Sequence, residues 1–327
     1  VKKSFFIVML CLIGVLSTAA FGAQPTVIRV AHVLAETHAS HIALLEFKKY
    51  CEEQSGGRLS IELYPNAQLG SDRQSLEGVG LGTIEMTMCT GSLLSSLDER
   101  FSILDLPFLF KTREAAHQAL DGALGDEVAE WLEPHNLVCL GIAEGGYRNI
   151  TNNKRAIHVP EDLKGLKIRT MENHIHIAAF RAWGANPTPM AFGELYTALQ
   201  QGIVDAEENP ISIIYTSKFY EVQKFASLTG HVYGTVPIII NRTFFERLPE
   251  DLQKIIREAG AVCRDLQRTL AYQQDTQFVN DLKAQGMTVN ELTSDQKQLF
   301  IDMAKGVYDD YRKKFGEESL EKAMKYN

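Results

Sequence analysis

Two arginines set among turns and short apolar runs carry the most legible chemistry of this chain. Arg148 follows Gly146-Tyr147, and Arg169 closes the run Gly165-Leu166-Lys167-Ile168. Phe192 follows Pro189-Met190-Ala191, and Asn209 stands before Pro210. A guanidinium offers a planar fork of donors that matches a carboxylate bidentately. Residues 146–210 therefore read as a capture site for a small organic acid. Each residue also has a plainer reading. Arg169 could pair with Asp162 or Glu172, Arg148 could be a solvated charge at a bend, Asn209 could open a turn, and Phe192 could be core.

Glu172 and His174 follow the Arg169 run directly. Two readings stay open for them: capping the next helix, or reaching the far end of a ligand. His38, in the loop after the first strand, is a candidate substrate contact. His32, His38 and His41, and His174 with His176, lack carboxylate or cysteine companions at ligand spacing, so no metal is expected. Gly78-Val79-Gly80-Leu81-Gly82 precedes a strand rather than opening a helix, so it reads as a helix-to-strand turn and not a nucleotide loop. No cofactor motif and no organised catalytic acid–base pair is present.

Lys2 and Lys3, an apolar run from Phe5 to Leu16 and the small residues Ser17 to Ala20 form a secretory leader, with cleavage expected before Ala23. The apolar run is shorter than the roughly 20 residues a bilayer span needs. Losing two lysines moves the net charge from −8 to −10. An acidic chain disfavours nucleic acid or anionic lipid as partner, and makes any anion site depend on a local positive focus. Cys51, Cys89, Cys139 and Cys263 remain after the leader. Their spacing forms no compact disulfide framework, so they read as small buried hydrophobes.

These residues need a scaffold. Val27 to Val33 alternates as a strand, His41 to Gln54 is a helix, Leu59 to Tyr64 a strand, Ser71 to Val79 a helix and Ile84 to Cys89 a strand. That β-α-β-α-β order predicts parallel strands, with ligand loops at their carboxyl ends. The loop after the first strand and the Thr90-Gly91-Ser92 turn then face the ligand. Thr112 to Leu132 is helical with interruptions at Gly122 and Gly125, Leu137 to Ala143 is a strand, and the chain bends at Gly145-Gly146. A second β/α set follows: strand 167–170, helix 175–183, extended 187–190, helix 192–201, strand 203–206. Residues 227–241 cross back, Pro249 opens a helix running at least to Lys283, and a last helix runs from Ser294 towards Phe315.

Four ordered runs carry a family resemblance. They are Pro160-Glu161-Asp162-Leu163-Lys164-Gly165-Leu166-Lys167-Ile168-Arg169, Gly184-Ala185-Asn186-Pro187-Thr188-Pro189-Met190, Glu194-Leu195-Tyr196-Thr197-Ala198-Leu199-Gln200 and Val204-Asp205-Ala206-Glu207-Glu208-Asn209-Pro210. Gln68-Leu69-Gly70 and the run Lys218 to Lys224 extend the match over essentially the whole mature chain. The sequence resembles the solute-binding subunits of tripartite ATP-independent periplasmic (TRAP) transporters, the DctP family. The resemblance implies a two-domain α/β periplasmic-binding-protein fold with a hinge and a long helix shared by both domains. It implies that Arg169 binds the substrate carboxylate, that Arg148 assists, that Asn209 donates to the same carboxylate and that Phe192 packs on the ligand. Val33, Asp72 and Thr90 match pocket positions of a sialic-acid-binding member, with different chemistry at Val33 and Thr90.

The expected division is a leader over 1–22, a first domain of 23–146 plus 235–274, and a second of 147–234 plus 275–327. The expected protein is a periplasmic monomer that hands a sugar acid or C4-dicarboxylate to the small and large subunits of a membrane permease. Arg169, Arg148, Asn209, Phe192, Asp72, Thr90, His38 and Glu172 are its expected ligand contacts, with no cofactor. Two rivals stand beside this reading. One is a periplasmic enzyme using His38 or Glu172 as base; the other is a binding subunit diverted to sensing.

Overall fold

The computed structural model describes residues 24–327. The leader and its cleavage point lie outside the described residues. The first half alternates as expected: β1 (Thr26–Ala31), α1 (Ala39–Gln54), β2 (Leu59–Tyr64), α2 (Asp72–Leu81) and β3 (Met86–Met88). Local chemistry sets the boundaries. The His38 ring accepts from the Ser40 N–H at 3.1 Å and starts α1. Ser71 and Gln74 form a reciprocal capping box at the start of α2. Gly82, with left-handed backbone, ends α2, which makes the glycine-rich stretch a helix terminus.

Two 3-10 segments, Gly91–Ser96 and Glu99–Asp105, precede α3 (Arg113–Leu120) and α4 (Ala123–Leu132). Then come β4 (Leu137–Asn152), β5 (Lys167–Thr170), α5 (His174–Ala182), β6 (Asn186–Pro189), α6 (Phe192–Gln200), β7 (Ala206–Pro210), α7 (Ile211–Thr216), β8 (Phe225–Leu228), β9 (Tyr233–Asn241), α8 (Arg242–Glu246), α9 (Glu250–Ala284), β10 (Thr288–Glu291), α10 (Ser294–Met303), α11 (Lys305–Phe315) and α12 (Glu318–Met324). The strands form two sheets that share β4. One has the order β2-β1-β3-β9-β4; the other runs β6-β5-β7-β4, with β8 and β10 beyond β4. Each sheet covers an apolar cluster of its own on one face, and a third cluster runs under both sheets, from Ala31 and Ile239 past Phe101 and Trp131 to Ile168, Phe180, Trp183 and Phe300.

Three elements depart from expectation. The strand expected to stop at Ala143 runs 16 residues, straight through Gly145-Gly146. It pairs with β9 as far as Tyr147 and with β7 from Arg148 onward. The glycines bulge the strand instead of breaking it: the register shifts between Glu144 and Gly146, which re-aims a strand without ending it. The strand expected over 203–206 lies instead at 206–210, so Asn209 sits in a fully buried central strand rather than a turn. The expected crossing at 227–241 divides into β8 and β9, separated by a turn at Gly230. The last helix is likewise divided at Ala304.

Helix α9 is 35 residues long, about 52 Å at 1.5 Å per residue. Gln274 accepts from the Ala39 N–H at 3.0 Å, and Glu258 accepts from the Tyr50 hydroxyl at 3.1 Å, so α9 lies along α1. Further on, Asp275 accepts from the Ser212 N–H of α7 at 3.2 Å and from Arg113 of α3 at 2.5 Å. The helix therefore spans both sheets, and Asp275 ties it down where β4 changes partners. Gly146 has φ +95°, and a Cβ there would lie 2.6 Å from the Asp275 carboxylate. Gly146→Ala is expected to cost about 1–3 kcal/mol through backbone strain, read as a lower midpoint in thermal unfolding. A midpoint equal to that of the parent protein removes this account of the crossover.

Candidate functional site

A cavity of about 280 Å³ lies between the sheets at the carboxyl ends of β1, β3 and β5. That is the small end of the roughly 300–1,000 Å³ typical of small-molecule sites. One wall comes from Val33, Asp72, Met88, Cys89, Thr90 and Val236. The other comes from Arg148, Arg169, Met171, Phe192, Asn209 and Ile213. Most of the lining is apolar, so the few polar groups decide what can enter.

Arg169 is 2% exposed. Its Nε and Nη2 donate to the Met190 carbonyl at 3.0 and 2.7 Å. Its Nη1 is buried and has no acceptor. Burial pushes the guanidinium down to about 10, with Glu208 opposing, so it remains cationic at neutral pH. The bond to Met190 fixes the fork beside the start of α6, which has no side-chain cap. Uncapped first-turn N–H groups and a buried cation together favour an anion.

Arg148 is placed differently. Its Nε donates to Glu208 Oε2 at 2.5 Å, and Nη2 to Glu208 Oε1 and Asn209 Oδ1, both at 3.0 Å. Glu208 also accepts from His231 Nε2 at 3.1 Å and lies 3.5 Å from His176 Nδ1. Asp105 takes the other side of His176 at 3.1 Å and accepts from Asn173 and Ser92. Burial alone pushes His176 down, but Glu208 and Asp105 overcome it and hold the imidazole up to about 9. Burial opposes ionisation of Glu208, yet Arg148 and His176 keep it well below the usual carboxylate range. Arg148 is thus neutralised by protein, whereas Arg169 is not. Asn209 accepts from Arg148, and its amide donates to Glu207 Oε2 at 2.6 Å, which fixes the face it turns to the cavity.

On the opposite wall the Asp72 Oδ1 atom is buried without a partner. Burial raises this carboxyl to about 7, restrained by Arg169 and the Thr90 backbone N–H. The Thr90 hydroxyl donates across the cavity to Met171 Sδ at 3.7 Å. Phe192 lines the cavity and packs on Phe219 with ring centroids 6.1 Å apart. Glu172 is at the rim, 3.3 Å from Arg73 Nε, so this ion pair bridges the two walls.

His38 departs from expectation: it is not among the cavity-lining residues. It caps α1 and is 1% exposed, and burial pushes it down to about 4. His32 and His41 bond to each other at 3.0 Å, and no metal-ligating cluster occurs among the described residues. All four cysteines described are unpaired.

Comparison with known proteins places this architecture. Residues 30–314 match the model of DctP, bacterial extracellular solute-binding protein, family 7. The chain belongs to this family. Its members are solute-binding proteins of TRAP transporters, not enzymes, so the enzyme rival falls away. The chain is 36% identical over 286 residues to the 2,3-diketo-L-gulonate-binding periplasmic protein YiaO of Escherichia coli, covering 88% of this chain and 86% of that one. It is 31% identical over 300 residues to the C4-dicarboxylate-binding periplasmic protein DctP of Rhodobacter capsulatus, covering 91% and 90%. It superposes on the sugar acid binding protein DctPAm of Advenella mimigardefordensis in complex with galactonate with a TM-score of 0.90. There the identity is 32%, and 93% of this chain and 99% of that one are covered.

In this DctP-family chain, sequence reasoning passed over Glu208, His231 and Arg73, and weighed His176 only as a metal ligand. The strand alternation at 206–210 places Glu208 and Glu207 on opposite faces, and it was the available signal for a buried carboxylate facing Arg148. Two outcomes follow from the geometry. The Arg73–Glu172 pair is part-exposed, and such pairs contribute about 0–1 kcal/mol. Arg73→Ala is expected to speed ligand release up to about fivefold in stopped-flow measurements, and an unchanged release rate rules out a bridging role. His176 is raised on folding, so its stabilisation is complete below its unfolded value near 6.5 and is lost as pH rises through about 9. Across pH 6.5–9 the parent protein should lose on the order of 2–3 kcal/mol that His176→Asn does not lose. Parallel stability curves in urea unfolding contradict that.

Proposed function

We propose that this chain is the extracytoplasmic solute-binding subunit of a TRAP transporter. It captures a small organic acid of the sugar-acid or C4-dicarboxylate class in the cavity between its domains and delivers it to the small and large permease subunits. The observation that carries this reading is the Arg169 Nη1 atom, which is buried, charged and without a protein acceptor. A desolvated donor left unpaired is costly, and a ligand carboxylate removes that cost. Asn209 and the start of α6 flank the same point, and Arg148, held by Glu208, orients Asn209. The bound ligands named for relatives support the class: galactonate in one solved structure, a diketo-gulonate and a C4-dicarboxylate in two binding proteins.

In this reading the second domain is prebuilt around the carboxylate and the first domain closes over it by a hinge at the β4 crossover. The chain acts in the periplasm after the leader is removed, as a monomer. Arg169→Ala is expected to weaken binding of the transported acid at least 100-fold in calorimetric titration, since it removes a charge-assisted bond in a dry site, while the thermal unfolding transition stays cooperative. Unchanged affinity of Arg169→Ala for the acid that the parent protein binds refutes the assignment.

A further inference from the structure

Glu207 is a carboxyl to which carboxylate capture has given no role. It is fully buried on β7, and Thr151 of β4 stands opposite it. On the other side Ile168 pairs with Ala206, so the next step of that register sets Arg169 of β5 beside Glu207, on strands about 4.8 Å apart. Yet Glu207 is not bonded to the guanidinium, whose bonds go to Met190. The hydrogen bonds it does make leave one proton short. Asn209 Nδ2 donates to Glu207 Oε2 at 2.6 Å, and Arg148 fixes that amide by donating to Asn209 Oδ1 at 3.0 Å. Thr151 Oγ1 is 2.6 Å from Glu207 Oε1 and 3.1 Å from Gln223 Oε1. The Gln223 amide is fixed in turn, because its Nε2 donates to the Val222 carbonyl at 2.9 Å. A hydroxyl carries one proton. With Glu207 ionised, Thr151 can serve only one of its two acceptors. With Glu207 protonated, Glu207 Oε1 donates to Thr151, Thr151 donates to Gln223, and every group is satisfied. All four side chains are buried, so an unmet acceptor there is costly.

We propose that Glu207 works as a neutral acid: it holds the Asn209 amide for the ligand carboxylate without cancelling the charge of Arg169, so that capture of an anion is linked to a proton on Glu207. This rests on the carboxylate-capture reading above and adds a positioning residue to it. Burial pushes the Glu207 carboxyl up to about 7, with Glu208 acting in the same direction and Thr151, Asn209 and Arg148 opposing. An ionised Glu207 would be a counter-ion beside Arg169 and a competitor of the ligand. A bound anion therefore favours the protonated form, and affinity falls as pH rises through the range in which Glu207 ionises, by at most about tenfold per pH unit for one proton. The charged groups around Glu207 are Arg148 of β4, Arg169 of β5 and Glu208 beside it on β7. Asp72 across the cavity and His176 and His231 against Glu208 titrate as well, so the linkage is read as a difference between variants.

The test compares the mature protein with Glu207→Ala and with Glu207→Gln, whose amide can donate to Thr151 and accept from Asn209 as the neutral acid does. Infrared difference spectra of the ligand-free protein between about pH 6 and about pH 9 should show a protonated-carboxyl band that Glu207→Gln lacks. In calorimetric titration with galactonate, L-gulonate and succinate, an acid that binds the parent protein should lose about 3- to 10-fold more affinity between about pH 6 and about pH 8 than it loses in Glu207→Gln. Glu207→Ala should bind that acid at least about tenfold more weakly at the lower pH, and Glu207→Gln should recover most of the loss. Parallel affinity profiles in the parent protein and Glu207→Gln, or infrared spectra with no band that the substitution removes, overturn the proposal. The infrared comparison alone decides it if none of the three acids binds, and the comparison with Glu207→Gln stands by itself if Glu207→Ala does not fold. If a probe binds the parent protein and Arg169→Ala equally, the carboxylate-capture reading fails instead.

Discussion

A buried guanidinium must find acceptors, and Arg169 finds one protein oxygen. Everything around it serves to keep that arrangement dry and in place. Met190 fixes the fork from one side. Glu208 is the carboxylate that acts most strongly on it, yet Glu208 is spent on Arg148, His176 and His231. Had Glu208 reached Arg169, the site would be neutral and closed to an anion. The network behind the cavity thus has a double effect. It neutralises one arginine so that the strand can stay buried, and by doing so it leaves the other uncompensated. In a chain of net charge −8, this is how a local positive focus survives.

The scaffold makes that separation possible. Arg148 and Glu208 are on adjacent strands, because β4 leaves β9 and joins β7 at Arg148. A strand that ended at Ala143 would not bring them together. The bulge at Gly145-Gly146 redirects the strand, and Asp275 of α9 holds the junction with Arg113 and Ser212. Glu144, fully buried one residue before the glycines, pairs with Arg113 and His117, and Gln267 of α9 accepts from its N–H at 2.8 Å. The crossover is therefore bound by directional polar contacts beside an apolar cluster that continues under both sheets. In the proposed capture reading this joint is the hinge about which the two domains close.

Much of this was legible in the sequence, for physical reasons that differ by residue. Arg169, Asn209 and Phe192 stand in runs long enough to be recognised, and each lines the cavity. The alternating elements of the first half were readable because capping residues and periodicity coincide there, as at Ser71-Gln74. The end of the strand at Ala143 was misread because two adjacent glycines look like a break, while the pairing that keeps them in a strand comes from residues 233–234, far along the chain. His38 was misplaced because a loop histidine that caps a helix and one that meets a ligand have the same local sequence; only its burial against α1 separates them. The Arg148–Glu208 pair was hidden by its 60-residue separation, which only the β4–β7 register brings to contact.

The two walls of the cavity differ in how they are built, and this bears on how affinity and selectivity divide between them. The Arg169 wall is held by strands β4, β5 and β7 and by a connected set of buried bonds, so its geometry exists before any ligand arrives. Rigid, prepaid positioning of this kind raises affinity for the group common to all candidates, the carboxylate. The Asp72 wall rests on the first turn of α2 and on loops after β1 and β3, and it meets the other wall through a rim ion pair and a thioether contact. Those contacts are weak, so in the proposed capture reading closure must draw on what the ligand offers to this wall. A ligand that satisfies only the anchored wall can bind but has little to stabilise the closed form. In the proposed capture reading, discrimination among acids falls to the wall that closes, where the unpaired Asp72 oxygen is either satisfied or left buried.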